Sequence, residues 1–363
     1  MSHRDDEARG PVPSARVGGD PRTGDPTTGA HPRPRPAVRP PGPTLSILLI
    51  SWNTREQTRR CLESLAQTAA DLDYEVVAVD NASRDGSADL LAGWPRVRLI
   101  RNGFNVGFAA AVNQAYRLAR GELILLLNSD VVVHPGALSR MVGFLRDRPG
   151  AAGVSPRYLN PDGTFQQHYV QQPSFPAALA LTTALRRIPR FRRALHTFQM
   201  RGEDFSRPRL LASGSCMLLR RAVLEPDRIF DERFPVYWND AILARELERD
   251  GHELWMIPDA VVTHVRGASC RLLGDEVRFR HLLGGLVCYL RLTQPRHRIG
   301  IFRLVVLADH VLKRACRREV QMPLAALRGA LRGDVGPLPD GDARRRPGPV
   351  GGRRDRVTAR GAA

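Results

Sequence analysis

Four short polar groups stand where the chain leaves an apolar run. Ser51-Trp52-Asn53 follows residues 45–50, Asp80-Asn81 follows 75–79, Arg101-Asn102 follows 97–100, and Asn128-Ser129-Asp130 follows 123–127. Carboxylates and amides placed in this way suit a polar, phosphorylated ligand. The phosphate cannot be cradled by glycine. The turn after the first run is Ser51-Trp52-Asn53-Thr54-Arg55, with no G-x-G-x-x-G, and the chain has no P-loop. A divalent cation, Mg2+ or Mn2+, is the simplest substitute, because it takes carboxylate oxygens and bridges diphosphate. Asp130 offers it a full charge, whereas Asn128 offers only a neutral oxygen. Asp80 can accept a hydrogen bond from a nucleobase imide or a ribose hydroxyl; capping its own turn with Asn81 is the alternative.

These groups need a scaffold that brings strand ends together. The apolar runs at 45–50, 75–79, 97–100 and 123–127 read as buried parallel strands. Between them lie helical stretches. One is capped by Asn53, with Glu56 three residues on as its capping-box partner. Others open at Asp85-Gly86-Ser87, span 107–120, and start at Pro135 as the first helical residue, ending near Leu145. Strand-helix alternation predicts an α/β fold with a mainly parallel sheet flanked by helices. Ligands of such sheets bind beyond the carboxyl ends of the strands, where the four polar groups lie. Asn53 and Glu56 are therefore read either as a cap or as ligand contacts, and Asn105, just before Gly107 and a helix start, as a cap or part of the rim.

The second half is less regular. A helix is expected over 177–187, a strand over 210–219, a helix over 240–249, and two short strands at 254–257 and 260–264. From Glu276 to about Arg332 the pattern is helical and amphipathic, with arginines among Leu, Val and Phe. The chain divides into a disordered leader (1–43), a regular α/β half (44–150), a less regular half (151–275), C-terminal helices (276–332) and a disordered basic tail (333–363).

The formal charge is +18, and Lys313 is the only lysine. A surplus of this size favours anionic partners. The arginines are dispersed and aromatics make up only 6% of the chain, so no stacking platform for nucleic acid is visible and no specific nucleic-acid partner is expected. Five cysteines without a C-x-x-C pair read as reduced thiols. With no apolar run long enough to span a bilayer, a cytoplasmic protein is expected. Its C-terminal helices either pack on the domain or touch the inner face of the plasma membrane peripherally.

The motif set resembles glycosyltransferase family 2. Ile50-Ser51-Trp52-Asn53 and Val79-Asp80-Asn81-Ala82-Ser83-Arg84-Asp85-Gly86-Ser87 look like its nucleotide-binding start. The segment from Arg101 to Asn113 is similar to its N-x-G-F-A-x-A-x-N stretch, and Asn128-Ser129-Asp130 to its N-x-D variant of D-x-D. The bacterial rhamnosyltransferase-like subgroup is the nearest in pattern. The resemblance implies a GT-A fold and inverting transfer of a sugar, rhamnose as the best guess. It implies a nucleoside-diphosphate-sugar donor and a lipid-linked or polysaccharide acceptor of the cell wall or surface. Ser51, Asn53, Glu56, Asp80, Asn105, Asn128 and Asp130 would bind the donor, and Asp130 with His264 the metal. The family's Glu-Asp-x-Asp is reduced here to Asn239-Asp240-Ala241-Ile242, leaving Asp240 as the implied base. A degenerate member that binds nucleotide-sugar without efficient transfer is the alternative.

Overall fold

The computed structural model describes residues 43–166, 171–198, 213–316 and 323–339. The first half alternates as expected: β1 (Leu45–Ser51), α1 (Arg55–Thr68), β2 (Tyr74–Asp80), α2 (Ser87–Ala92), β3 (Val97–Arg101), α3 (Phe108–Leu118) and β4 (Leu123–Asn128). Then come β5 (Val131–Val133), α4 (Ala137–Asp147), β6 (Ala151–Leu159), α5 (Phe175–Thr182), α6 (Pro189–Phe198) and β7 (Cys216–Arg220). Next follow α7 (Asn239–Arg249), β8 (Glu253–His264), α8 (Ala268–Arg271), α9 (Asp275–Thr293), α10 (Arg296–Ala315) and α11 (Leu324–Leu331).

One eight-stranded sheet runs in the order β3-β2-β1-β4-β7-β6-β8-β5. Strands β1 to β4 are mutually parallel. Beyond β4 the sheet is mixed, since β7 runs antiparallel to both β4 and β6, and β5 antiparallel to β8. β1 is buried along its whole length and shows why it sits centrally. Leu45, Ile47 and Leu49 face one core with α1, α2 and α4, while Leu48 and Ile50 face a second core with α3, α7 and α9. The period of two feeds both faces, as a doubly covered strand requires.

Several local expectations are corrected. β5 and β6 carried no clear strand pattern, yet both pair with β8. The two short strands expected at 254–257 and 260–264 are one strand, β8, whose register against β6 shifts between Pro156 and Arg157, opposite Pro258. Proline lacks the ladder N–H, so it sits where pairing breaks. The helix expected over 177–187 starts earlier, stops at Thr182 and resumes as a 3-10 turn at Ala184–Arg187. Pro135 precedes α4 rather than opening it, because Gly136 takes the left-handed conformation at the cap. Residues 210–212 of the expected strand, the leader to residue 42 and the tail from 340 lie outside the described residues. Residues 333–339, grouped with the tail, pack on α9: Gly284 lies against the Asp334 backbone and Gly336 against Arg280.

Candidate active site

Parallel pairing aligns the strand ends: Ser51 stands opposite Asp80, and Ile50 opposite Asn128. Beyond this edge opens a cavity of about 530 Å3, with Asn81, Asn105, Asn128 and Asp130 on the side of the first half and Gly214, Asp240 and His264 on the side of the second. Backbone strain gathers here. Asn53, Ala82, Trp238 and Arg266 all have positive φ, at 51°, 65°, 72° and 59°. A bulky residue such as Trp238 holds that conformation only when its surroundings enforce it. Its indole donates to the Leu282 carbonyl at 2.8 Å and lies against Gly285, where an added Cβ would come within 2.7 Å of the ring.

Three buried polar atoms at the sheet edge have no hydrogen-bond partner among the described residues: Trp52 Nε1, Asp80 Oδ1 and Asn128 Oδ1. Buried polar atoms in native proteins are nearly always paired, so such a group implies a ligand or ordered water that completes it. Asp80 is committed on one side only, its Oδ2 accepting from the Ser83 amide at 2.9 Å.

Asp130 and His264 meet because β5 follows Asp130 at once and sets Val131 opposite His264. Asp130 Oδ1 lies 3.3 Å from His264 Nε2, and its Oδ2 accepts from the Ala268 amide at 3.2 Å. Burial raises the Asp130 carboxyl, but the hydrogen bond and charge of His264 outweigh it and hold the group below the ordinary carboxylate range. The tautomer of His264 is fixed from behind. Gln166 donates its amide to the His264 carbonyl at 2.8 Å and to Asn160 Oδ1 at 2.9 Å, which leaves its Oε1 to accept from His264 Nδ1 at 2.8 Å. With Nδ1 held by Gln166, Nε2 is the nitrogen left to face Asp130, and it would be the one to take a cation, as in a metal-ligating imidazole. Adjacent ligands of an octahedral cation with bonds of ~2.1 Å stand about 3 Å apart, close to the spacing found. No group of three His, Cys, Asp or Glu side chains suited to a metal exists among the described residues. Two protein ligands fit a cation that keeps waters and shares substrate phosphates.

Asp240 enters the cavity wall from the first turn of α7. Its Oδ1 accepts from the Ala241 amide at 2.9 Å, and Gly214 passes close enough that an added Cβ would lie 3.6 Å from Asp240 Cβ. Burial outweighs the backbone hydrogen bonds and raises its pKa above the ordinary carboxylate value. Asn239, where the resembled motif has glutamate, turns its amide inward to the Phe234 and Val236 carbonyls, at 3.4 and 3.2 Å.

Other expected residues are placed differently. Ser51 is fully buried, in a hydroxyl cluster with Thr54 and Thr58 that reaches Ser129 through Thr54, and it does not line the cavity. Asn53 does not cap α1. The cap position is Thr54, without a side-chain bond, and Asn53 Oδ1 accepts from the Arg84 amide at 2.7 Å, tying two loops. The capping box fails as well, because Glu56 points to solvent and pairs with Arg59 and Arg60, which lower its pKa to about 2. Asn105 does line the cavity; its Oδ1 accepts from Asn81 Nδ2 at 2.8 Å and from the Gly107 amide at 2.9 Å. Tyr237, Arg278 and Leu338 also line the cavity, and no motif marked them.

Residues 46–226 match the model of the family described as glycosyl transferase family 2. The chain is 28% identical over 238 residues to the N-acetylglucosaminyl-diphospho-decaprenol L-rhamnosyltransferase of Mycobacterium tuberculosis, covering 62% of this chain and 77% of that protein. It is 30% identical over 235 residues to the O-antigen biosynthesis protein RfbC of Myxococcus xanthus, covering 63% of this chain and 18% of that one. Among solved structures, the mannosyltransferase PcManGT from Pyrobaculum calidifontis, in complex with GDP-Man and Mn2+, superposes with a TM-score of 0.48 at 20% identity, covering 78% of this chain and 77% of that one.

Proposed function

Since the chain belongs to glycosyltransferase family 2 and is a nucleotide-sugar-dependent glycosyltransferase, we propose that it transfers rhamnose with inversion from a nucleoside-diphosphate donor. The acceptor is a lipid-linked or polysaccharide glycan of the cell wall or surface. The choice of sugar and acceptor rests on likeness to the mycobacterial rhamnosyltransferase. The observation that carries the reading is the Asp130–His264 pair, oriented by Gln166 and lining one cavity with Asp240.

In this reading Asp80, Asn128 and Trp52 complete their hydrogen bonds on the donor nucleotide. Asp130 and His264 would hold a divalent cation, which when bound would supply positive charge to offset that on the leaving diphosphate. Asp240 takes the proton of the acceptor hydroxyl as that oxygen bonds to the anomeric carbon, and the bond from this carbon to the diphosphate oxygen breaks. The raised pKa suits the task, because a base works best when its pKa approaches the working pH. No described helix is long and apolar enough to cross a membrane. The five cysteines are free thiols, which supports a reducing, cytoplasmic setting.

Asp240→Asn tests the assignment. Transfer from thymidine-diphosphate-rhamnose should fall by about 10^2 to 10^4, while thermal stabilisation by thymidine diphosphate with Mn2+ stays at the wild-type value. Retained transfer would remove Asp240 as the base. Nucleotide binding with no turnover by the wild type itself would favour a degenerate transferase.

A further inference from the structure

The C-terminal half carries an apolar surface that the transfer chemistry does not use. On α10, Ile301, Leu304, Ala308, Val311, Leu312 and Ala315 recur at helical spacing and are exposed. The four large side chains are 48%, 69%, 52% and 64% accessible. The opposite side of the helix, with Ile299, Phe302 and Val306, is buried in the domain. Next to this stripe lies the 3-10 turn before α6, joined to α10 by the Ala184 amide donating to Asp309 Oδ1 at 2.8 Å. That turn exposes Ile188 among Arg186, Arg187 and Arg190, with Arg192 and Arg193 exposed just beyond.

The charge around the stripe is one-sided. The 3-10 turn and α6 carry Arg186, Arg187, Arg190, Arg192 and Arg193, and α10 carries Arg296, Arg298, Arg303, Lys313 and Arg314, with Asp309 the single acid among residues 184–198 and 296–315. Asp309 is occupied by the Ala184 amide and by Lys313 at 2.6 Å. A second copy of this chain would bring two such cationic rims together, which like-charge repulsion opposes. An anionic lipid surface complements both features at once: the apolar stripe enters the headgroup–acyl boundary and the rim meets acidic phosphates.

We propose that α10 and the turn before α6 form a peripheral docking face for an anionic membrane surface. The proposal is independent of the transferase reading, because it rests on the exposed side of α10 and not on the cavity. The two meet at α9, which brings Arg278 and Leu282 to the cavity wall and precedes α10 by the Gln294-Pro295 turn. A transferase docked by this face would work beside a lipid-anchored acceptor.

The test is flotation of the full chain with phosphatidylcholine vesicles, with and without phosphatidylglycerol. Binding is expected only with phosphatidylglycerol and should weaken with salt. Leu304→Ser with Leu312→Ser should reduce partitioning by about tenfold or more. Arg187→Glu with Arg190→Glu should reduce it by at least about fivefold per charge lost. Unchanged circular dichroism would show that both variants are folded. Absence of binding by the wild type, or full binding by both variants, would overturn the proposal. So would loss of binding on deletion of 340–363 alone. A wild-type dimer that becomes a monomer on the double serine substitution would assign the stripe to self-association and overturn it too.

Discussion

Asp80→Asn separates a ligand contact from a structural one, because the two roles predict changes of opposite kind. Asp80 Oδ2 holds the Ser83 amide at 2.9 Å, and Oδ1 is buried without a partner. Asparagine can keep its own oxygen on Ser83, so the turn survives. What changes is the open position, where a charged acceptor becomes an amide donor. In the free protein this relieves the cost of a buried, unpaired carboxylate oxygen. Such costs run to about 1–3 kcal/mol or more for charged groups, so the melting temperature should hold or rise. On the nucleotide, a hydrogen bond to a charged acceptor worth about 1.5–3 kcal/mol is lost. At ~1.4 kcal/mol per decade, affinity should fall by roughly 10- to 150-fold. Calorimetric titration with thymidine diphosphate and uridine diphosphate in Mn2+, beside a melting curve of the free variant, reads both quantities. A variant that melts lower and binds as well as the wild type would refute the reasoning and return Asp80 to turn capping.

Four further outcomes follow from the structure. Transfer should decline on the acidic side with an apparent pKa above ~4, the ordinary aspartate value, since burial raises Asp240; a pH–rate profile checks this. The same raised pKa means that the folded state holds the proton more tightly than the unfolded one, so stability falls as pH climbs from the unfolded toward the folded value. Asp240→Asn should therefore melt higher than the wild type at neutral pH, and a lower melting temperature would contradict the raised pKa. Gln166→Leu removes the acceptor that fixes His264 Nδ1. Losses of about 10- to 100-fold in Mn2+ affinity are typical for such an outer contact, read as a shift in the Mn2+ dependence of nucleotide binding at unchanged affinity for metal-free nucleotide. Gly121→Ala tests the scaffold, because its Cβ would lie 2.5 Å from the Ser46 amide nitrogen and 2.8 Å from the Leu45 carbonyl carbon. Backbone cannot yield as a side chain does, so destabilisation of at least about 1–3 kcal/mol is expected by denaturant titration.

What the sequence made legible is what local pattern encodes. β1 to β4 are short apolar runs between helices, and parallel pairing in register converts their last residues into one edge. Asp130 and Asn128 could therefore be placed beside a cavity before any contact was known. The misses come from side-chain partners that a strand or helix pattern does not report. Ser51 looks like a ligand group at a strand end, but the hydroxyls of Thr54 and Thr58 take it inward. Asn53 has the type and spacing of a cap, yet its carbonyl is claimed by Arg84, 31 residues on. Asn113, last residue of the segment from Arg101, joins the halves: its Oδ1 accepts the Ile229 and Phe230 amides at 2.9 and 3.0 Å, on the stretch that leads to α7.

The loss of a glutamate before Asp240 reads differently once that packing is known. Asn239 is buried and holds the Phe234 and Val236 carbonyls, contacts a carboxylate cannot donate to. Trp238 is locked by Leu282 and Gly285 of α9. The turn that aims Asp240 is thus fixed from both flanks by groups other than a second acid. A motif that looks eroded by sequence comparison is, in the fold, one carboxylate on a constrained mount. Restoring the acid makes the point measurable. Asn239→Glu should strand two backbone carbonyls, bury a second negative charge beside Asp240 and lower both melting temperature and transfer. A gain in transfer would show that the reduced motif, and not the acceptor, limits this enzyme.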